Sequence, residues 1–444
     1  MSTDPLIRAR RISFLGVHAF ASGLVVYALG GATSILIARA LGPFGRGIYV
    51  LPVTLVAVIA TMVMMGVNQA QMRLWSNREG DPHEFVTSGV LLAVALGGLG
   101  MAIAWAIFLL GGDAWFEGVE PIYVLVVLPV IPLIIHSRLQ QSVLIFAGQL
   151  PYVNLATIVG AMVQTGGTAL LFSYGQLTVG LVLLMYIASM VVPWAVMNVK
   201  LRSVGRFQRP LPWRLMRSHL ALGTRMGPAG LFQFINHRVD IFLVGTYVGV
   251  DGVGTYSVAV VFSEIMWLIT NAVTTSVSER QANAPSDEAI DVTARAVRMN
   301  VVLSAVVGVV IAAIVPVAIP LLYGSAFRPA ISTVWILLFA SCAVGVWRPC
   351  SSMLARFGSP TDLPVIAFSS AIINVGANIV LLPRFGLPGA GVASVLSYGF
   401  GALLSIFVLT LRTPLSWKRL IPARGEFEAL RTLVTKRTLP AIAE

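Results

Sequence analysis

Charged residues are scarce in this chain. Only 11% of its 444 residues are Asp, Glu, Lys or Arg, whereas soluble domains carry about 25%. The mean hydropathy is +0.87, and apolar runs of about 20 residues, the length that crosses a hydrocarbon core of ~30 Å, recur almost to the end of the sequence. This composition excludes a soluble enzyme. It predicts an all-α polytopic membrane protein with about 12 transmembrane helices.

Cysteine is nearly absent as well. Cys342 and Cys350 fall within one predicted span, where we expect them to pack rather than to form a bridge. The sequence also lacks a spacing typical of metal ligands, a glycine-rich phosphate loop and a nucleophile motif. We therefore predict no cofactor, no metal, no catalytic residue and no direct use of ATP, so the chain is not expected to be an enzyme.

Twelve apolar segments are predicted to span the bilayer. Their approximate bounds are 18–39, 48–70, 85–110, 121–146, 152–174, 177–199, 219–246, 253–277, 299–322, 331–355, 364–383 and 389–411. The basic flank before the first segment is typical of a secretory signal, but the apolar stretch is too long and has no convincing cleavage site. We expect it to be retained as the first span.

The arginines and lysines set the expected orientation. Nearly all of them fall on one side of the predicted membrane, and the other side keeps Arg46, Arg328 and Arg384. Because positively charged short loops stay in the cytoplasm, both termini are predicted to be cytoplasmic. The net charge of +12 is then mainly a topology signal, with some attraction to anionic membrane lipids, and no nucleic-acid partner is expected.

The sequence contains an internal repeat. The stretch ARALGPFGRGIY aligns with TYVGVDGVGTYS, which pairs Gly42 with Gly249 at an offset of 207. Similar pairs follow at offsets of 210 and 211, where SYGQLTVG aligns with RFGLPGAG. We predict two six-helix lobes related by this repeat, with the glycines forming equivalent outer turns. The predicted divisions are an N-terminal lobe (1–200), a basic inter-lobe linker (201–218), a C-terminal lobe (219–411) and a basic amphipathic tail (412–444).

Four stretches carry a family resemblance: LGPFGRGIY, HRVDIFLVGTYVGVDGVGTYSVA, LLYGSAF and LPRFGLPGAGVASVLSY. Over residues 10–415 the chain resembles the polysaccharide flippase family of the multidrug, oligosaccharidyl-lipid and polysaccharide exporter superfamily. The resemblance implies a carrier of the bacterial inner membrane. It would move an undecaprenyl-diphosphate-linked oligosaccharide to the periplasmic leaflet by alternating access, for O-antigen or exopolysaccharide synthesis. Polysaccharide polymerase and glycosyltransferases are the partners that it implies.

Cations inside the predicted spans are candidate binding residues, because a lipid diphosphate is strongly anionic. A charge inside the membrane is costly, so the charges that occur there usually have a function. Arg138 and Arg348 occupy equivalent places in the repeat, and Arg225 superposes on His18. We predict that these four residues contact the diphosphate. The alternative for the arginines is snorkelling to lipid phosphates or pairing with an acid.

Arg238 is a fifth candidate for substrate binding. Asp240 lies two residues away and Glu264 lies on the following span, so a structural ion pair is an equally reasonable interpretation. The two acids are also the candidates for coupling transport to an ion.

Three other function classes have less support from the sequence. A cation-coupled multidrug exporter needs carboxylates inside the membrane, and the first six predicted spans contain no Asp or Glu. A membrane enzyme acting on lipid-linked glycans is expected to carry its catalytic acids on sizeable outer loops, whereas the longest here is GGDAWFEGVE. A scaffold without transport activity would leave the arginines in the membrane unexplained.

Overall fold

A computed structural model describes the backbone of residues 5–421 and the side chains of residues 21–421 apart from Asp113 and Glu279. The described part of the chain is almost entirely helical. Its fifteen α-helices are α1 (Pro5–Met64), α2 (Val67–Ser76), α3 (Pro82–Phe116), α4 (Pro121–Val127), α5 (Val130–Phe146), α6 (Leu150–Ser173), α7 (Val179–Leu201), α8 (Trp213–Met226), α9 (Pro228–Asn236), α10 (Val239–Val248), α11 (Val250–Asn283), α12 (Ser286–Leu322), α13 (Ala330–Phe357), α14 (Asp362–Phe385) and α15 (Leu387–Arg412).

Ten helices in the described residues are long and apolar enough to cross a membrane. The twelve predicted spans correspond to these ten helices with two differences. Ala21–Met64 joins the first two predicted spans through Gly42, whose backbone leaves the helical region at φ 64° and ψ −173°. The seventh predicted span is divided into α8, α9 and α10, each too short to be counted. The prediction of an all-α, multi-pass membrane protein is confirmed.

The internal repeat recurs in the backbone geometry. Gly42 and Gly249 both have positive φ, 64° and 86°, and nearly extended ψ, −173° and 178°. Gly175 and Gly386, paired at the offset of 211, also have positive φ, at 68° and 59°. A side chain is strained in this region of φ and ψ, so glycine at these positions allows the chain to leave one helix and enter the next.

The first compact unit contains the described residues up to Ser257 together with Pro320–Phe327. Within it, α1 packs against α6, α3 against α5, and α2 against α8. A buried apolar cluster that includes Leu74, Phe85 and Leu144 joins α2, α3 and α5 at the predicted cytoplasmic end. The start of α3 is fixed by a capping box, in which the Asp81 side chain accepts from the backbone N–H of Glu84 at 2.8 Å.

The second compact unit contains Val258–Ile319 and the described residues from Arg328 onward. Here α15 packs against both α13 and α14, around a core that includes Trp347 and Tyr398. Cys350 is buried in this core, Cys342 is half-buried, and both are free thiols. The division into units does not follow the predicted lobes, so the lobes and the 201–218 linker stay a prediction. The part of the predicted tail that follows Ile421 lies outside the described residues.

Prolines inside two helices of the second unit free backbone carbonyls, because proline has no N–H to donate to the residue four positions before it. Pro349 frees the carbonyl of Gly345, and Asn300 Nδ2 donates to that oxygen at 2.9 Å. Pro316 likewise frees the carbonyl of Ala312, which accepts from Trp335 Nε1 at 3.0 Å. Side chains of neighbouring helices therefore replace the lost helical hydrogen bonds, as a membrane interior requires.

Candidate functional site: a cationic cavity between broken helices

Arg138 lies at a cavity inside the first unit. The side chain is half-buried on α5, and Nη1 donates to Thr61 Oγ1 at 3.4 Å. The Thr61 hydroxyl donates in turn to the carbonyl of Ala57 at 2.9 Å, so its lone pairs are available to the arginine. Among the described residues Arg138 makes no other hydrogen bond. Most of its five N–H donors therefore have no partner within that part of the protein.

The cavity has a volume of about 140 Å³. Its lining consists of Thr61, Met64, Met65, Gly66, Asn68, Gln69, Arg138, Gly227, Gly230, Leu231 and Phe234. Asn68 and Gln69 add amide donors and acceptors, and Gln69 Oε1 is buried without a hydrogen-bond partner among the described residues. These lining residues include no Asp or Glu, so Arg138 is the one formal charge they contribute.

Two helices begin at this cavity. The first intrahelical hydrogen bond of α2 runs from the N–H of Ala70 to the carbonyl of Gly66, and that of α9 runs from Leu231 to Gly227. The backbone N–H groups before those bonds have no acceptor within their own helix, and they give each helix start a partial positive charge. The start of α9 contributes fewer of them, because Pro228 has no N–H and the N–H of Gly227 donates to Gly223. Two helix N-termini and one guanidinium thus make the cavity favourable for an anion.

Glycine allows the two broken segments to meet. A Cβ on Gly66 would lie 2.5 Å from the Cα of Gly227 and 2.7 Å from the carbonyl oxygen of Gly223. Gly66 also has a φ of 77°, which turns the chain from α1 into α2. Discontinuous spans whose half-helix N-termini point at an anionic group are a recurring arrangement in transporters.

The other predicted residues of the first unit are not among those that line this cavity, and their part in substrate binding stays a prediction. Arg225 is exposed in the last turn of α8, and Arg238 is half-buried at the start of α10. Asp240 is buried, and its carboxylate accepts from Tyr256 Oη at 2.5 Å and from the N–H of Ile241 at 2.9 Å. The side chain of His18 lies outside the described residues.

In the second unit, Arg348 and Glu264 are both half-buried. The guanidinium carbon of Arg348 lies 5.5 Å from the centroid of the Trp267 ring, which is the geometry of a cation–π contact. Pro349 follows Arg348 directly, so the arginine lies beside the proline inside α13. Whether Arg348 binds substrate and whether Glu264 has a part in ion coupling stay predictions.

Arg46 was not among the predicted binding residues. The sequence predicts it on the outer side, between the first two spans, and the structure buries its side chain, which is only 5% exposed. Pro43 restarts the helix directly after Gly42, which puts Arg46 in the first turn of the next helical segment. The Gly-Pro pair is the signal that could have identified this helix start. The Met65-Gly66 and Gly227-Pro228 pairs similarly mark the helix breaks at the cavity, which hydropathy averaged over a span does not reveal.

Comparisons with known proteins agree with this architecture. Residues 10–332 match the model of a family described as polysaccharide biosynthesis protein. No curated protein matches the sequence. One similar structure is a multidrug resistance MATE family transporter of the MOP superfamily in an inward-facing conformation, with a TM-score of 0.66 and 15% identity over 87% of this chain and 94% of that one.

Two further structures have a similar fold. The lipid II flippase MurJ in an inward closed conformation has a TM-score of 0.66 and 14% identity over 95% of this chain and 91% of that one. A MOP superfamily transporter from Pyrococcus furiosus, for which reverse polarity of the binding pocket is described, has a TM-score of 0.64 and 13% identity over 90% and 94%. At such low identities these likenesses establish the fold alone.

The three solved structures that share this fold are two transporters and a flippase. The match over residues 10–332 covers more than half of the sequence. The chain therefore belongs to the polysaccharide biosynthesis protein family and has the fold of MOP superfamily transporters.

Proposed function

We propose that this protein is a flippase for an undecaprenyl-diphosphate-linked oligosaccharide. It moves the lipid from the cytoplasmic to the periplasmic leaflet of a bacterial inner membrane by alternating access, with both termini in the cytoplasm. The glycan serves synthesis of a surface polysaccharide such as O-antigen or exopolysaccharide. A polysaccharide polymerase and glycosyltransferases are the partners that supply or use the lipid-linked glycan.

One observation carries this proposal: Arg138 and the N-termini of α2 and α9 meet at one cavity whose described lining contains no acid. Backbone N–H groups at helix starts and a guanidinium are the groups that proteins use for phosphate. The amides of Asn68 and Gln69 can hydrogen-bond hydroxyls of the first sugar. The headgroup of the lipid would thus be held at the diphosphate, while the lipid chain stays in the bilayer.

The lining of the cavity gives little support to a drug exporter. Its volume of about 140 Å³ is below the ~300–1,000 Å³ typical of pockets that enclose a drug-sized ligand, and it can hold the diphosphate but not the oligosaccharide. A cationic drug would additionally need a carboxylate to bind to, and Asp240 in the first unit already accepts hydrogen bonds from Tyr256 and Ile241. The drug-exporter alternative therefore has less support from this site.

The test is transbilayer movement of a fluorescent undecaprenyl-diphosphate oligosaccharide in proteoliposomes. We expect Arg138→Ala to slow movement by about 10- to 100-fold, because hydrogen bonds to a charged group contribute about 1.5–3 kcal/mol. Arg138→Lys should retain part of the rate, since it keeps the charge but loses the planar fork. Arg384→Ala removes an exposed arginine at the end of α14 and is the matched control.

A second pair of variants separates the two predicted cations. Arg348→Ala is measured alone and in combination with Arg138→Ala. The comparison tests whether Arg348, the equivalent of Arg138 in the repeat, also binds the substrate. Undiminished movement in Arg138→Ala, with folding matched to the parent, would remove the cavity from the mechanism. No movement by the folded parent with several glycans, together with efflux of a cationic dye, would favour the drug exporter.

A further inference from the structure

Arg46 is held by an unusual set of partners at the predicted outer end of the first unit. Its Nε donates to Ser257 Oγ at 2.7 Å, its Nη1 to the Ser34 carbonyl at 2.7 Å and its Nη2 to Ser34 Oγ at 2.9 Å. The guanidinium carbon lies 5.8 Å from the centroid of the Tyr323 ring. Ser34 Oγ and Tyr323 Oη are 3.3 Å apart, which closes the cluster.

The charge of Arg46 is not neutralised by this cluster. Its hydrogen-bond partners are hydroxyls and a carbonyl, and no carboxylate among the described side chains forms an ion pair with it. A buried cation is costly when its counter-charge is missing. Three of its five donors are used, so two N–H groups remain for another acceptor. A structural link between helices would not need a permanent charge, whereas an anion-binding residue would.

The cluster connects three segments that are distant in sequence: the middle of α1, the start of α11 and the residues after α12. Arg39 adds to the same closure, because its Nε donates to the carbonyl of Leu322 at 2.8 Å and its Nη2 donates to that of Leu321. A passage between α1 and α11 at this end requires the contact of Arg46 with Ser257 to break.

We propose that Arg46 is an anion-responsive clasp, which closes this end of the unit through neutral partners and exchanges them for phosphate oxygens of the lipid-linked substrate. The inference rests on the proposed function and assigns a second phosphate-binding residue to it. Phosphate offers two anionic oxygens in the bidentate geometry that a guanidinium prefers, whereas Ser257 offers one neutral hydroxyl, so phosphate displaces the serine. A ligand that binds the open form better shifts the protein toward it.

The test measures opening directly, with a cysteine placed beside the clasp. Ala38 is 1% exposed and lies one helical turn after Ser34 on α1, so Ala38→Cys reports access to this region. The background carries Cys342→Ala and Cys350→Ala, which removes the native thiols. Detergent-solubilised protein is labelled with a membrane-impermeant maleimide, with farnesyl diphosphate as the probe and farnesol as the control lacking the diphosphate.

We expect farnesyl diphosphate to raise the labelling rate by about tenfold, which corresponds to one or two net hydrogen bonds, and farnesol to leave it unchanged. Arg46→Gln should label rapidly without the probe and should not respond to it. Ser257→Ala removes one neutral partner but keeps the charge, so it should label faster than the parent and still respond. Arg384→Gln, which removes an exposed charge elsewhere, should behave as the parent does.

Two results would overturn the clasp. One is slow labelling of folded Arg46→Gln, and the other is an equal response to farnesyl diphosphate with and without Arg46. Failure of the clasp can be told from failure of the proposed function. Oligosaccharide movement in proteoliposomes without any labelling response refutes the clasp alone, and a response that depends on Arg46 without oligosaccharide movement refutes the proposed substrate alone.

Discussion

Gly254 packs directly on the carbonyl oxygen of Pro43, with no space for a Cβ between them. The contact is reciprocal, because Gly47 packs in the same way on the carbonyl oxygen of Val250. Gly47 and Gly254 are equivalent in the repeat, and so are Pro43 and Val250, each pair being 207 residues apart. Reciprocal contact between equivalent residues is the mark of a local two-fold relation. The two glycine-rich turns therefore resemble each other and also pack against each other.

This contact predicts the effect of adding one methyl group. We expect Gly254→Ala to destabilise the protein by about 1–3 kcal/mol, because overpacking forces the backbone to move. Gly47→Ala should cause a similar loss. Gly376→Ala is the control, since a Cβ there meets nothing within 4 Å. Thermal unfolding in detergent measures all three variants, and equal melting temperatures for Gly254→Ala and Gly376→Ala would contradict the packing.

Substitution of Gly42 or Gly249 by alanine should lower the stability of the protein for a different reason. A Cβ on Gly42 would meet nothing within 4 Å, and one on Gly249 only Glu117 Oε2 at 3.9 Å, so space is not limiting. Their combination of positive φ and extended ψ is nearly restricted to glycine and costs other residues about 1–3 kcal/mol. Alanine at either position should therefore lower stability by this amount. Thermal unfolding of the two single variants and the double variant measures this loss of stability. The two losses should add in the double variant if the strain at one turn does not affect the other.

Much of this architecture is readable from the sequence, because membrane spans and their turns depend on local composition. Apolar length predicts the helices, and the repeat predicts the shared geometry of Gly42 and Gly249. The repeat is weaker elsewhere: Gly148 has a φ of 76°, whereas its counterpart Gly358 has a φ of −82°. The presence of a helix was therefore easier to predict than the backbone conformation at its end.

The candidate site was only partly predictable. Arg138 could be selected because a charge in a span is rare, but its setting depends on breaks in two distant segments that meet at Gly66 and Gly227. Arg46 was overlooked because hydropathy does not distinguish a loop from a helix start. Arg225 was selected for its place in a span and is exposed at the end of α8, so its part in substrate binding stays a prediction. Burial of a polar residue is set by tertiary packing, which a single sequence does not show.

Arg348 and Trp267 provide a test of the second unit that is independent of transport. A cation–π contact contributes about 0.5–2 kcal/mol, depending on how far it is desolvated. We expect Trp267→Leu to lower the unfolding temperature more than Trp267→Phe, because phenylalanine keeps an aromatic face. In an Arg348→Met background the difference between Leu and Phe should shrink. A double-mutant cycle measures this coupling, and a coupling of zero would show that the ring only fills space.

The link between Asn300 and Pro349 predicts an unusual rescue. Asn300 is fully buried, and its amide donates to the Gly345 carbonyl that Pro349 leaves free. Asn300→Leu should leave that carbonyl unsatisfied and cost about 1–3 kcal/mol. Pro349→Ala restores an N–H that can donate to Gly345, so the cost of Asn300→Leu should fall in the Pro349→Ala background.

The Asn300 cycle separates hydrogen bonding from packing. If Asn300 acts only by filling volume, the cost of Asn300→Leu is the same with proline or alanine at position 349, and the coupling energy is zero. If it satisfies the freed carbonyl, the coupling should approach the value of one net hydrogen bond, about 0.5–1.5 kcal/mol. Thermal unfolding of the four proteins decides between the two outcomes. A positive result would mean that the proline beside Arg348 is tolerated in α13 because Asn300, on a neighbouring helix, satisfies the carbonyl that it leaves free.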